Sequence, residues 1–126
     1  MFKGKSDHIV LACRNIKEIR SFYEQVISLV PNTILDHYVT YDLGPVTLCF
    51  KEIEGLGDVG SAIVHIGIDF PSRKDVDQFR DLIQKSSYSN KPSEILGGPG
   101  KGPYRFYIKD PAGYNLEFES WEDCSD

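Results

Sequence analysis

The sequence predicts an α+β fold of two tandem βαβββ units, forming a curved, cup-shaped mixed sheet with the helices on its outer face. Three observations predict it. A strand-like apolar run, a helix cap and helically spaced apolar residues occur in that order twice. An offset of 57 carries His8 onto His65, Ile9 onto Ile66, Ile19 onto Val76, Phe22 onto Phe79 and Val26 onto Ile83 without a gap. The chain then closes on FYIKDPAGYNLEF, Phe106 to Phe118, which reads as two strands about a tight turn.

Asp7 to Cys13, DHIVLAC, has strand length and strand composition. Asn15 followed by Glu18 has the form of a capping box, and Ile16, Ile19, Phe22, Tyr23 and Val26 mark a helix from about 16 to 28. Pro31-Asn32 ends it. Thr33 to Asp42 and Val46 to Ile53 are rich in β-branched and aromatic residues, with Gly44-Pro45 as the turn between strands. The second half repeats the order. Ala62 to Phe70 is a strand, Ser72 and Asp75 form a second capping box, and Val76, Phe79, Leu82 and Ile83 line a helix face. In the closing hairpin the offset becomes 68, carrying Asp42 onto Asp110, Cys49 onto Glu117 and Phe50 onto Phe118. The added residues fall in Lys85 to Pro103, whose Ser, Gly and Pro content is that of a loop. At 126 residues this is one domain, with a first unit at about 6–54 and a second at about 61–121.

Composition excludes several classes. A net charge of −5 with no run of either sign gives no footprint for nucleic acid or an anionic membrane. No apolar run approaches the roughly 20 residues of a spanning helix. The N-terminus lacks the apolar core of a secretory leader, and three scattered cysteines without a CxxC suit a reduced, cytoplasmic compartment. GGPGKGP lacks the GK[ST] ending and strand-to-helix context of a phosphate loop, which excludes nucleotide binding there. It reads as a flexible lid or a plain linker.

Strand parity sorts the two first strands by face. Ile9, Leu11 and Cys13 face the helix in one, as do Ile66, Ile68 and Phe70 in the other. His8 and His65 then share the opposite, concave face, and Glu117 lies off the core face of the last strand. His37, between strands, is a structural or exposed residue, and Glu52 and Glu54 belong to a solvated connection.

DHIVLAC, HIGIDF and FYIKDPAGYNLEF together resemble the vicinal oxygen chelate superfamily, over nearly the whole chain. That superfamily groups glyoxalase, extradiol ring-cleaving dioxygenases, and fosfomycin- and bleomycin-resistance proteins. The resemblance implies a divalent metal (Fe, Mn, Ni or Zn) held by His8, His65 and Glu117, and a homodimer. YDLGPVTLCF, Tyr41 to Phe50, is similar to its counterpart in the thiol-transferring fosfomycin-resistance branch, and Tyr107 matches a substrate-contacting tyrosine there. Departures narrow the expectation. Cys49 stands where glyoxalases carry a fourth, glutamate ligand, which disfavours proton-shuttling isomerase chemistry. Val10 replaces the threonine of the fosfomycin branch, and the arginine-bearing segment beyond this C-terminus is missing, which disfavours fosfomycin.

Two imidazoles and one carboxylate on one side of a divalent ion leave positions open for a chelating substrate or O₂. The expected activity is a metal-dependent dioxygenase, or a lyase or transferase, acting on a small molecule with two adjacent oxygens. The alternative is a metal-free drug- or metabolite-binding protein. Tyr107 is the candidate catalytic residue, set against ordinary aromatic packing. Lys101 and Arg105 are candidates for an anionic substrate, set against solvated surface charge. Cys49 joins them on the substrate side, as a soft ligand or a small buried residue.

Overall fold

A computed structural model describes residues 1–60 and 62–124. The expected start of the second unit, at about residue 61, lies outside the described residues. The chain divides into two compact units, Met1–Asp58 and Val59–Asp126, and the α+β class holds in each.

The first unit runs β1 (His8–Cys13), α1 (Ile16–Arg20), a π-helical segment (Ser21–Val26), β2 (Thr33–Leu35), β3 (Tyr38–Leu43) and β4 (Val46–Glu52). Its sheet has the order β1-β4-β3-β2, with β1 parallel to β4 and the other pairs antiparallel. Asn15 caps α1, its side chain accepting from the amides of Lys17 and Glu18. The amide of Ile16 donates to Glu52 Oε1 at 2.9 Å, so an acid 36 residues away serves a helix terminus. The expected single helix changes pitch at Ser21. Ile27 N–H reaches Phe22 O, and the widened turn sends Phe22, Tyr23 and Ile27 all into the core. Tyr23 stacks on Tyr41 at 5.5 Å and meets Phe50 at 4.9 Å. The Tyr41 hydroxyl donates to Glu24 Oε2, which Arg20 also holds, so the phenol in this core is satisfied.

Thr33 to Asp42 is not one strand. Asp36 and His37 form a turn, and β2 folds back on β3. Glu52 is not merely a solvated connection either, since its Oε2 takes His37 Nδ1 at 2.6 Å.

The second unit runs β5 (Ile66–Asp69), α2 (Arg73–Lys85), β6 (Tyr104–Lys109) and β7 (Asn115–Ser120), with strand order β5-β7-β6. Ser72 Oγ accepts from the Asp75 amide and donates to the Asp75 carboxylate, as its sequence pattern requires. α2 packs over β6 and β7, and Phe79, Phe106 and Phe70 surround Phe118 at centroid distances of 5.2 to 6.0 Å.

The second unit is βαββ, not the expected βαβββ. The strand that would match β2 shrinks to one bridge, Leu96 with Arg105, beside a bond from Ser93 N–H to Tyr107 O. Pro92 before it and Gly97-Gly98 after it leave too little chain for a ladder. β5 is likewise shorter than Ala62 to Phe70, beginning only at Ile66.

The β6–β7 turn depends on Asp110. It is 2% exposed, and its Oδ1 accepts from the amides of Ala112 and Tyr114, each at 2.9 Å. Gly113 completes the turn at φ 95°. Asp110→Ala strands two buried amides and is expected to cost about 2–3 kcal/mol. Asp110→Asn, which keeps an acceptor, is expected to cost less. Urea midpoints of the two variants check the order.

Candidate functional site

Register on the second sheet builds the site. Gly67 of β5, Glu117 of β7 and Tyr107 of β6 lie side by side. Asp69, Glu119 and Arg105 form the next row. Residues two apart on a strand share a face, so all six belong to the face opposite Phe118. His65 precedes β5, and its Nε2 stands 3.7 Å from Glu117 Oε2. Its ring meets that of Tyr107 edge-on at 6.0 Å.

Glu117 is 6% exposed, and the Tyr107 hydroxyl donates a very short hydrogen bond to its Oε2. Tyr107 Oη in turn accepts from Arg105 Nε at 3.1 Å. Burial raises the Tyr107 phenol above its ordinary value, and the bond to Glu117 adds to this against the pull of Arg105. Glu119 is pushed up to about 7, first by burial, then by its hydrogen bond with Glu117 and by the charges of Glu117 and Asp69; Arg105 opposes the rise. Two acids on one face of one strand disfavour each other's charge.

The structure thus brings His65, Glu117, Tyr107 and Arg105 together in one unit. His8 is in the first unit, with 60% of its side chain exposed and its Nδ1 2.5 Å from Asp7 Oδ1. Cys49, also there, is 2% exposed, lies between Val10 and Thr40 on the sheet, and interacts with the Tyr38 hydroxyl. Lys101 is an exposed loop residue whose carbonyl faces Arg105 Nη1 at 3.5 Å. Arg105 spends donors on Tyr107 and on the Pro103 carbonyl, so its environment differs from the solvated cation of the sequence reading. Glu119 was missed from sequence. The signal was the alternation of Glu117 and Glu119 on a strand, which places both carboxyls on one face.

The donor chemistry of His65 and Glu117 fits a divalent ion. Two donors bound at about 2.1 Å in a right-angle arrangement stand roughly 3 Å apart, so their 3.7 Å gap closes with a small side-chain movement. Tyr107 supplies the outer hydrogen bond that such carboxylates ordinarily have. Among the described residues, no group of three or more His, Cys, Asp or Glu stands ready to hold a metal, and no helix is long and apolar enough to cross a membrane.

Known structures share this arrangement of elements. A lactoylglutathione lyase from Agrobacterium tumefaciens superposes with a TM-score of 0.74, at 20% identity, over 95% of this chain and 96% of that one. A glyoxalase/bleomycin resistance protein/dioxygenase from Nocardioides gives 0.72 at 11% identity, over 96% and 85%. The fold is that of the glyoxalase, bleomycin-resistance and dioxygenase structures. The bleomycin-binding protein of Streptomyces verticillus, in complex with copper(II)-bleomycin, has the glyoxalase fold as well, with a TM-score of 0.69 at 15% identity over 95% and 98%. The sequence matches no family model and no curated protein.

The raised Glu119 carboxyl gives a signed pH dependence for the glyoxalase-fold chain, measured with chelator present. Folded, the group titrates near 7; unfolded, near 4.5. The folded chain therefore binds more protons between those values, and stability falls as pH rises from about 4.5 to about 7, then levels. Glu119→Gln is expected to flatten that portion of the curve. Urea unfolding of both chains at intervals across this range checks it.

Proposed function

We propose that this chain is a divalent-metal-dependent enzyme of the glyoxalase/dioxygenase fold, acting on a small substrate with two adjacent oxygens. The observation that carries the reading is His65 Nε2 at 3.7 Å from the nearly buried Glu117 carboxylate, itself fixed by a phenol. His8 is the third donor on sequence resemblance, and Asp7 on its Nδ1 suits that role. The ion is Fe, Mn, Ni or Zn; when bound, it supplies a positive charge that stabilises an oxyanion on a chelating substrate. Tyr107 orients Glu117 and presents a phenol edge beside His65. The reaction is oxygen-dependent ring cleavage, or addition or elimination of the thiol-transferase or lyase type. Fosfomycin is disfavoured by Val10. Lys101, an exposed loop residue, is the remaining candidate cation for an anionic substrate. A homodimer in the cytoplasm belongs to the same proposal, in keeping with three scattered, buried cysteines.

A second reading is a metal-free protein that binds a drug or metabolite. It is favoured by Tyr107, whose hydroxyl already occupies the Glu117 oxygen that a metal would share.

Elemental analysis of protein purified without chelator separates the readings. The first expects about one ion per chain, and Ala at His65 or Gln at Glu117 is expected to weaken ion binding at least about tenfold with the fold intact. No uptake of Fe, Mn, Ni or Zn by folded protein overturns it in favour of the second. Light scattering at micromolar concentration tests the dimer.

A further inference from the structure

Arg105 is engaged on two sides. Its Nη1 donates to the Pro103 carbonyl at 2.9 Å and faces the Lys101 carbonyl at 3.5 Å. Its Nε donates to the Tyr107 hydroxyl oxygen at 3.1 Å. The carbonyls belong to a glycine loop with bonds of its own, Gly98 N–H to Gly102 O at 3.1 Å and Lys101 N–H to Gly98 O at 2.9 Å. The Leu96–Arg105 bridge ties the loop to β6. Gly97 has φ +79°, and a Cβ there would run into both the Pro103 carbonyl oxygen and Arg105 Nη1. The loop is shaped around the guanidinium.

A guanidinium donates and never accepts. The Tyr107 oxygen opposite Nε therefore accepts, and its one proton goes to Glu117 Oε2. The donors run one way, from Arg105 to Tyr107 to Glu117. We propose that Arg105 is a positioning residue, mounted on the carbonyls of the glycine loop, that commits the Tyr107 proton to Glu117 and so holds the carboxylate toward His65. In this assignment GGPGKGP is a mount, not a lid, and Arg105 acts through Tyr107 instead of binding substrate. The proposal depends on the metal reading only for the second measurement below.

The first measurement follows the ¹³Cζ signal of Tyr107 in tyrosine-labelled protein, assigned with Tyr107→Phe. Arg105→Gln and Gly97→Ala are expected to move it in the same direction, one from the donor side and one from the loop side. Arg105→Lys is expected not to restore it, because an ammonium lacks the Nε/Nη1 fork that reaches both partners. A signal unmoved in Arg105→Gln, or restored by Arg105→Lys, overturns the assignment. Circular dichroism establishes that each variant is folded, and Arg105→Lys carries the test if Gly97→Ala is not. The second measurement titrates Mn²⁺ alone. Arg105→Gln and Tyr107→Phe are each expected to weaken binding about tenfold, and the double variant no further than either. Additive losses overturn a shared role. If the native chain takes up no Mn²⁺, the metal reading falls while the Tyr107 signal still decides the positioning role.

Discussion

Glu117 is the constraint to which the second unit answers. A carboxylate only 6% exposed is costly unless its lone pairs are filled. Here a phenol fills one, and that phenol is aligned by an arginine whose other donor is spent on a loop. Removing water from around Glu117 also removes it from around its neighbours. Glu119, one row along, is pushed up to about 7 by its own burial first, and then by its hydrogen bond with Glu117 and the charges of Glu117 and Asp69. Burial of one acid thus connects the tyrosine, the arginine and the glycine loop.

The duplication shows how local that set is. On the first sheet the row matching Gly67–Glu117–Tyr107 is Val10–Cys49–Thr40, and the row matching Asp69–Glu119–Arg105 is Ala12–Lys51–Tyr38. The backbone frame is the same; the side chains are not. Cys49 behaves as a small buried residue, with its thiol against Tyr38, and Thr40 caps the Thr33 amide. What the copies share is the helix-facing side, where Leu48 and Phe50 match Leu116 and Phe118, all 3% exposed or less. Packing demands apolar volume on that face in both units, whereas the other face buries groups as different as the Cys49 thiol and the Glu117 carboxylate.

The core side and the order of elements were legible in the sequence because helix caps and apolar periodicity are local signals. Register was less so. The offset of 68 puts Asp42 on Asp110, but the paired strands put Thr40 on Tyr107, one residue out, because the second turn is longer by one. Asp110 is therefore a turn residue, and Lys109 is the counterpart of Asp42. The service of Glu52 to Ile16 was hidden because its partner, 36 residues away, is brought close only by folding. Parity placed His65 and Glu117 off the core face, and the family resemblance grouped them. The capture of Arg105 by the loop followed from neither, because the loop's composition reads equally as a flexible segment.

Gly67 carries the argument one step beyond the hydrogen bonds. It lies beside Glu117 in the register, in the row where the first unit has Val10. Neither of the usual reasons for glycine applies. Its φ is outside the left-handed region, and a Cβ built on it meets no atom within 4 Å. A side chain is tolerated by the backbone and by its surroundings, yet none is there. What the missing side chain leaves is open space beside Glu117, the most buried of the carboxylates described on that face, at the edge away from Tyr107. The phenol closes one flank of Glu117, and the glycine puts no side chain on the opposite flank.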